Sequence, residues 1–386
     1  MKKNEKAIRE PLVHLTKRES MGVTKSALVR VAAFMLGMLT CGLVAFILID
    51  KLRQNPSRIG EFYVCFIKGS FSNKGKMWKF AKDIAILLCI SLALTPAFRM
   101  RFWNTGAEGQ TLVGCLAAVA MNFYLGGKHN PGLVFPNWAL IVLMFFAALA
   151  AGAVWGLIPA LFKAKWDTNE TLFTLMMNYI ATFFVGYCLI KWVPNGSSSL
   201  GKLDSGRLPT VFTCFKKAAY SDYLLIILAV LLLTALLYVY LRYSKHGYEI
   251  GVVGESLRTA QYIGINVKKV IIRTMLLSGL LCGFAGFLIG AGLDRSVTEN
   301  SVGGQGFTAI MVAWLAKFDP IVMIITSGII VFLNQGADQI SQVFDISGAF
   351  PSVIVGIVLF FIIGSEFFIN YKLNFRGKKG VQEAVR

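Results

Sequence analysis

The chain has 386 residues, of which 56% are hydrophobic and only 15% charged, with a mean hydropathy of +0.63. That balance excludes an ordinary soluble domain and places the chain in a bilayer. The formal net charge of +19 does not point to nucleic acid, because the basic residues cluster between apolar runs rather than along one aromatic-studded stripe; anionic lipid and membrane topology account for it.

Residues 1–26 are charged and carry no apolar h-region, so a basic tail is expected there rather than a cleavable signal peptide. A span needs about 20 apolar residues to cross about 30 Å of hydrocarbon. Helices are predicted at 27–49, 80–98, 108–126, 137–161, 170–193, 222–243, 268–292, 303–316, 319–336 and 350–370. The fold class is therefore an all-α membrane protein of about ten helices. Its transmembrane domain covers 27–370, and a second basic tail covers 371–386. The barrel alternative fails because no period-two alternation runs through these segments.

An even count puts both tails on one side. Lys2, Lys3, Lys6, Arg9, Lys17 and Arg18 in front, with Lys372, Arg376, Lys378 and Lys379 behind, place that side in the cytoplasm. The turn at Lys163 to Lys165 and the segment 244–267 then also face inward. Residues 50–79 object, since an external loop should not carry Lys51, Arg53, Arg58, Lys68, Lys74, Lys76 and Lys79. The favoured reading is a tolerated external loop; the other is an interfacial or re-entrant piece at 59–71. The outer segment 195–221 opens with turn-rich sequence, and its sequon Asn195-Gly196-Ser197 is read as a chance triplet.

No catalytic constellation is present. His14, His129 and His246 lie in tails or loops, and HExxH and GxSxG are absent. The stretch GSFSNKGK (69–76) has five residues between its glycines and Met77 where a phosphate loop needs Ser or Thr. The seven cysteines (Cys41, Cys65, Cys89, Cys115, Cys188, Cys214, Cys282) form no CxxC pair, so neither a metal site nor a disulfide framework is expected. Transport driven by ATP would need another chain to bind it.

Polar residues inside apolar runs mark candidate pathway positions, since such groups are costly unless they face protein or water. Asn104, Glu108 and Gln110 sit among Gly106 and Gly109 at one helix start, and Gln305 sits among Gly303, Gly304 and Gly306 at another. Asn178, Asn334 and Gln335 are further candidates. Two interrupted starts in oppositely directed halves are what an inverted repeat around a central path produces; the competing reading is that the glycines only permit tight packing. Gly279, Gly283, Gly286 and Gly290 form a small-residue face suited to helix packing.

Residues 247–265 form a polar island between spans. Ser256 can cap a helix of about two turns and Gly264 can end it. Leu257 and Ala260 share a side that can rest on the membrane body; Arg258, Gln261 and Tyr262 lie on or near another that can face a partner.

The string GYEIGVVGESLRTAQYIGINVKKV (247–270) resembles the cytoplasmic coupling segment of the permease subunits of ABC importers for branched-chain amino acids, ribose-type sugars and nucleosides. FWNTGAEGQTLVGCLAA (102–118), GAVWGLIPALFKAKWDTNETLFTLMMNYIA (152–181) and GGQGFTAIMVAWLAKFDP (303–320) resemble further elements of the same family, the second of its nucleoside branch. Asn104-Thr105-Gly106 departs from the common Asn-Ile-Gly, and Gly254-Glu255-Ser256 from Gly-Glu-Asn.

The resemblance implies a non-enzymatic permease subunit in a bacterial cytoplasmic membrane, moving nucleosides inward, with a simple sugar as the alternative substrate. Glu255, Ser256, Leu257, Arg258, Gln261 and Tyr262 would couple it to a cytoplasmic ABC ATPase. That ATPase would bind ATP and Mg, leaving no cofactor on this chain. A second homologous permease and an extracytoplasmic binding protein complete the implied partners. An ion-coupled secondary transporter is a rival, but it would need membrane-buried ionisable groups, for which Glu108 and Glu366 are the candidates. A membrane enzyme or scaffold is weakened by the absence of any acid, base or metal cluster.

Overall fold

A computed structural model describes residues 13–18, 21–129, 135–193, 199–206, 208, 221–293, 295–346 and 349–375. The sequon, Cys214 and most charged residues of the two tails lie outside them. The described chain is almost wholly helical, and the expected all-α membrane architecture holds.

Each predicted apolar segment is a helix. Eight helices among the described residues are long and apolar enough to cross a membrane: α1 (Val23–Leu48), α4 (Lys74–Arg99), α6 (Asn137–Trp166), α7 (Glu170–Trp192), α8 (Ser221–Tyr243), α11 (Val267–Phe287, continued by a π-helical turn, Leu288–Leu293), α13 (Pro320–Phe344) and α14 (Phe350–Asn370). The other two are α5 (Ala107–Leu125), whose apolar character is diluted by Glu108 and Gln110, and α12 (Gln305–Leu315). At 1.5 Å per residue α12 reaches only about 16 Å, half of the hydrocarbon layer.

The chain divides into two compact units. The first holds residues up to 69 and from 333 onward. Here α1 lies against α14, where a Cβ on Gly37 would stand 3.1 Å from the Val358 Cα. Arg30 pairs with Glu366 at 2.6 Å, so that carboxylate already has a cationic partner. Strand β1 (Val13–Lys17) pairs antiparallel with β2 (Tyr371–Phe375), from Val13 opposite Phe375 to Lys17 opposite Tyr371. The pairing brings residues 13–17 and 371–375 together.

This unit also corrects the reading of 50–79 as a loop. It contains α2 (Asp50–Gln54), a 3₁₀ turn at Pro56–Arg58 and α3 (Ile59–Phe71), and α4 begins at Lys74. Phe62, Cys65, Phe66 and Ser70 of α3 are buried at three- and four-residue spacing, so one face seats in the protein. Its basic residues fall on the remaining surface. Arg58 pairs with Glu61 at 2.8 Å, and Lys51 donates to the Phe344 carbonyl oxygen at 3.1 Å.

The second unit, residues 70–332, is built on α5, α6 and α11. The glycine face of α11 packs as expected: a Cβ on Gly283 would lie 2.3 Å from the Ala148 carbonyl oxygen, and one on Gly279 would lie 2.4 Å from that of Gly152. Backbone meets backbone there, which only glycine permits.

Candidate functional site

Between α4 and α5 the chain runs irregularly through Phe102–Gly106, leaving peptide groups without helical partners. Buried backbone groups must find others. Asn178 of α7 supplies two contacts: its Nδ2 donates to the Thr105 carbonyl oxygen at 2.9 Å, and its Oδ1 accepts from Gly109 N–H at 2.9 Å. Thr105 Oγ1 donates to the Thr171 carbonyl oxygen at 3.0 Å, and Thr105 N–H donates to Thr174 Oγ1 at 3.2 Å.

Asn104 is fully buried. Its Oδ1 accepts from Gly106 N–H at 3.0 Å and from Gln110 Nε2 at 3.2 Å, while its Nδ2 donates to Ser278 Oγ at 3.2 Å. The amides of Asn104 and Gln110 thus stitch the break to α11.

Glu108 joins this break to the second one. Its two carboxylate oxygens accept from Gly304 N–H at 2.8 Å and Gly306 N–H at 2.6 Å, the free donors at the start of α12. An anion at that position completes the helix's unpaired amides and opposes its positive dipole end. Gly304 holds φ +76°. A Cβ on Gly306 would fall 2.5 Å from the Glu108 nitrogen. Gln305, beside the clamp, has a buried Oε1 with no hydrogen-bond partner among the described residues.

Five of the seven polar candidates, Asn104, Glu108, Gln110, Asn178 and Gln305, therefore lie in one neighbourhood. Their polar atoms are largely committed to scaffold bonds. Asn334 belongs to the other unit, half-buried on α13.

The polar island is two helices rather than one. In α9 (Lys245–Glu255), Ser244 Oγ caps Gly247 N–H at 2.9 Å, and Gly247, Ile250, Val253 and Gly254 form the buried side. A Cβ on Gly254 would stand 2.0 Å from the Arg99 carbonyl oxygen, so α9 is pressed onto the end of α4. His246 sits between Tyr240 and Thr274, and burial pushes its imidazole below the ordinary value.

Then comes α10 (Leu257–Tyr262), with Ser256 Oγ accepting from Thr259 N–H at 3.2 Å and Gly264 at φ +84°. Both expected caps are in place. Ala260 is buried, yet Leu257 is 55% and Tyr262 92% exposed; Glu255, Arg258 and Gln261 are exposed too. Leu257 was expected to share Ala260's seat. As the first residue of a six-residue helix it instead stands out beside Arg258.

Residues 77–363 match the family described as the branched-chain amino acid transport system permease component, nearly three-quarters of the chain. The chain belongs to that family. It is a transport subunit, not the enzyme of its system. The guanosine ABC transporter permease protein NupP of Bacillus subtilis is 29% identical over 83% of this permease and 90% of its own length. The glucose ABC transporter permease protein TsgB13 of Haloferax volcanii is 28% identical over 83% and 84%. A further guanosine permease protein of Bacillus subtilis, NupQ, is 28% identical over 56% and 67%.

Several residues of the permease's polar network carried no warning in the sequence. Ser278, Thr171 and Thr174 are unremarkable hydroxyls within apolar helices, and only their proximity to the α4–α5 break gives them partners. The one available signal was the break itself, whose orphan peptides had to be satisfied by something. Among the described residues no group of three or more His, Cys, Asp or Glu side chains is placed to hold a metal.

Proposed function

We propose that this permease is the membrane subunit of an ATP-driven importer that carries nucleosides inward, with energy delivered by a cytoplasmic ABC ATPase through residues 255–262. The observation that carries the coupling reading is α10: a short helix capped at both ends, seated by Ala260, whose remaining side chains project outward. A rigidly footed, otherwise unpartnered helix can transmit a push without unfolding. Its foot is α9, pressed on the Arg99 end of α4, so a displacement of α10 reaches the helix that leads into the first break.

The guanosine permeases among its relatives support a nucleoside cargo. The glucose permease supports a simple sugar as the second reading. Two broken helix starts joined through Glu108 support a path between halves of inverted topology, with Asn104, Gln110, Asn178, Gln305 and Asn334 as its polar candidates. Because Glu108 is engaged by two backbone donors, and Glu366 by Arg30, the groups that a secondary transporter would need for its driving ion are already occupied. A second, homologous permease, an extracytoplasmic binding protein, and both chain ends in the cytoplasm of a bacterial cell complete the proposal.

The test is purification from native membranes in mild detergent with mass spectrometry of the retained proteins, followed by uptake of labelled guanosine and glucose. Retention of an ATPase, and uptake abolished by Leu257→Ala with Arg258→Ala in protein that still reaches the membrane, is the expected result. Uptake by the permease alone in liposomes, driven by an ion gradient without nucleotide, overturns it.

A further inference from the structure

Beside α10 the structure contains a recess of about 410 Å³ that the function described above does not use. Four places in the sequence build it: the α4–α5 break, the α6–α7 turn, α9 with α10, and the first turns of α11. Phe102 and Val253 give it an apolar floor, while Leu257 and Gln261 form the wall on the α10 side.

Its charges are unevenly matched. Lys163 is neutralised by Asp167 at 2.8 Å and Glu170 at 3.0 Å, and the Lys163 hydrogen bond holds the Asp167 carboxyl below its ordinary value. Arg101 and Lys268, also on the lining, have no acidic partner within ion-pair distance among the described residues. Arg101 and Asp167 further share a left-handed backbone, at φ +59° and +51°. Each of them closes a helix, Arg101 just past α4 and Asp167 just past α6.

We infer that this recess is a second seat for the partner ATPase, taking a carboxylate side chain from a protruding segment of that protein between Arg101 and Lys268. The inference rests on the proposed coupling through α10. Continuity favours it, because Leu257 and Gln261 belong to both surfaces, so a protein docked on α10 necessarily borders the recess. Charge favours it as well: the lining keeps a net positive charge, and Arg101 and Lys268, which have no carboxylate of their own, stand over an apolar floor that fits an acidic side chain with an aliphatic stem.

The experiment measures ATPase affinity for the intact permease at increasing salt. Arg101→Gln with Lys268→Gln is expected to weaken retention about tenfold or more and to flatten its salt dependence. Lys165→Gln with Lys269→Gln, exposed cations off the recess lining, is expected to stay within about twofold. Equal weakening by both pairs reduces the site to a generally basic surface and overturns the inference. If the first pair instead loses bound phosphatidylglycerol by native mass spectrometry with ATPase affinity unchanged, the recess is a lipid site and the inference fails. ATPase retention lost in the Leu257 and Arg258 variants but kept in the Arg101 and Lys268 pair removes the recess while sparing α10 docking; no retention by the unaltered permease removes both. Should the paired variant fold poorly, carbodiimide coupling in the unaltered complex decides: an amide from Lys268 to an ATPase carboxylate supports the seat, and coupling of Lys268 only to its own Asp167 or Glu170 refutes it.

Discussion

The seam of α5, α6 and α11 and the short helix α10 use the same residue types for opposite ends. Gly283 is a glycine because a Cβ would strike the Ala148 carbonyl, whereas Gly264 has nothing within 4 Å and is a glycine because its φ is +84°. Ser278 spends its hydroxyl inside the buried network around Asn104; Ser256 spends its own capping a helix that projects outward. In the seam, side chains are removed so that backbones can touch. At α10, backbone is fixed so that side chains can be offered. A residue's role thus follows from what surrounds it more than from what it is.

Substitutions should separate these two uses of glycine, and the largest effect belongs to the seam. Gly283→Val puts branched carbons into backbone that cannot yield, at a cost of about 3 kcal/mol or more. Loss of a monodisperse species in size-exclusion chromatography is the expected outcome; a well-folded variant with unchanged melting would break the comparison. Next comes the clamp between the helix breaks. Glu108→Gln keeps one acceptor oxygen but loses the charge, which should cost about 2 kcal/mol, read as a lowered melting temperature in detergent together with reduced uptake. Should Glu108→Gln transport normally, the bond to α12 plays no part in holding the path.

At α10 the effects are smaller and local. Gly264→Ala forces an alanine into left-handed backbone at about 1 kcal/mol, with no change in the fold because the site is open. Ser256→Ala removes the cap for about another 1 kcal/mol. Either should weaken ATPase retention severalfold while leaving the melting temperature within a degree or two.

The smallest expected effect is pH-dependent and concerns the foot of α9. The fold holds His246 below its ordinary value of 6.5, chiefly by burial, with Glu249 pulling the other way and Arg273 adding to the shift. The neutral ring is therefore the favoured form. Its contribution is complete above about pH 6.5 and is lost as pH falls below that value, through the lowered folded-state value. The melting temperature of the unaltered permease should approach that of His246→Gln between pH 7 and 5; a constant difference would show that the ring does not titrate.

The apolar helices were legible in the sequence because burial in lipid demands uninterrupted runs, and α10 was legible because Ser256 and Gly264 bracket it. Residues 59–71 were legible only as the second of two readings, since seven basic residues spread through 50–79 mask the apolar face of α3 formed by Phe62, Cys65 and Phe66. Helix α9 was hidden by Gly247, Gly251 and Gly254, which weaken helix propensity; of these, Gly247 lets the helix lie against Leu241 and Gly254 against Arg99. Strand pairing of 13–17 with 371–375 had no local signal at all.

What the sequence alone determined is the set of apolar helical segments and the polar interruptions within them, because hydrophobic transfer and peptide desolvation act residue by residue along the chain. Only the tertiary structure decided that Glu108 would grip Gly304 and Gly306, nearly two hundred residues away, and that Leu257 would stand clear while Ala260 is covered. Hydrogen bonds and steric contact act over a few ångströms, and it is the folded path of the backbone, not spacing along it, that sets which groups come within that range.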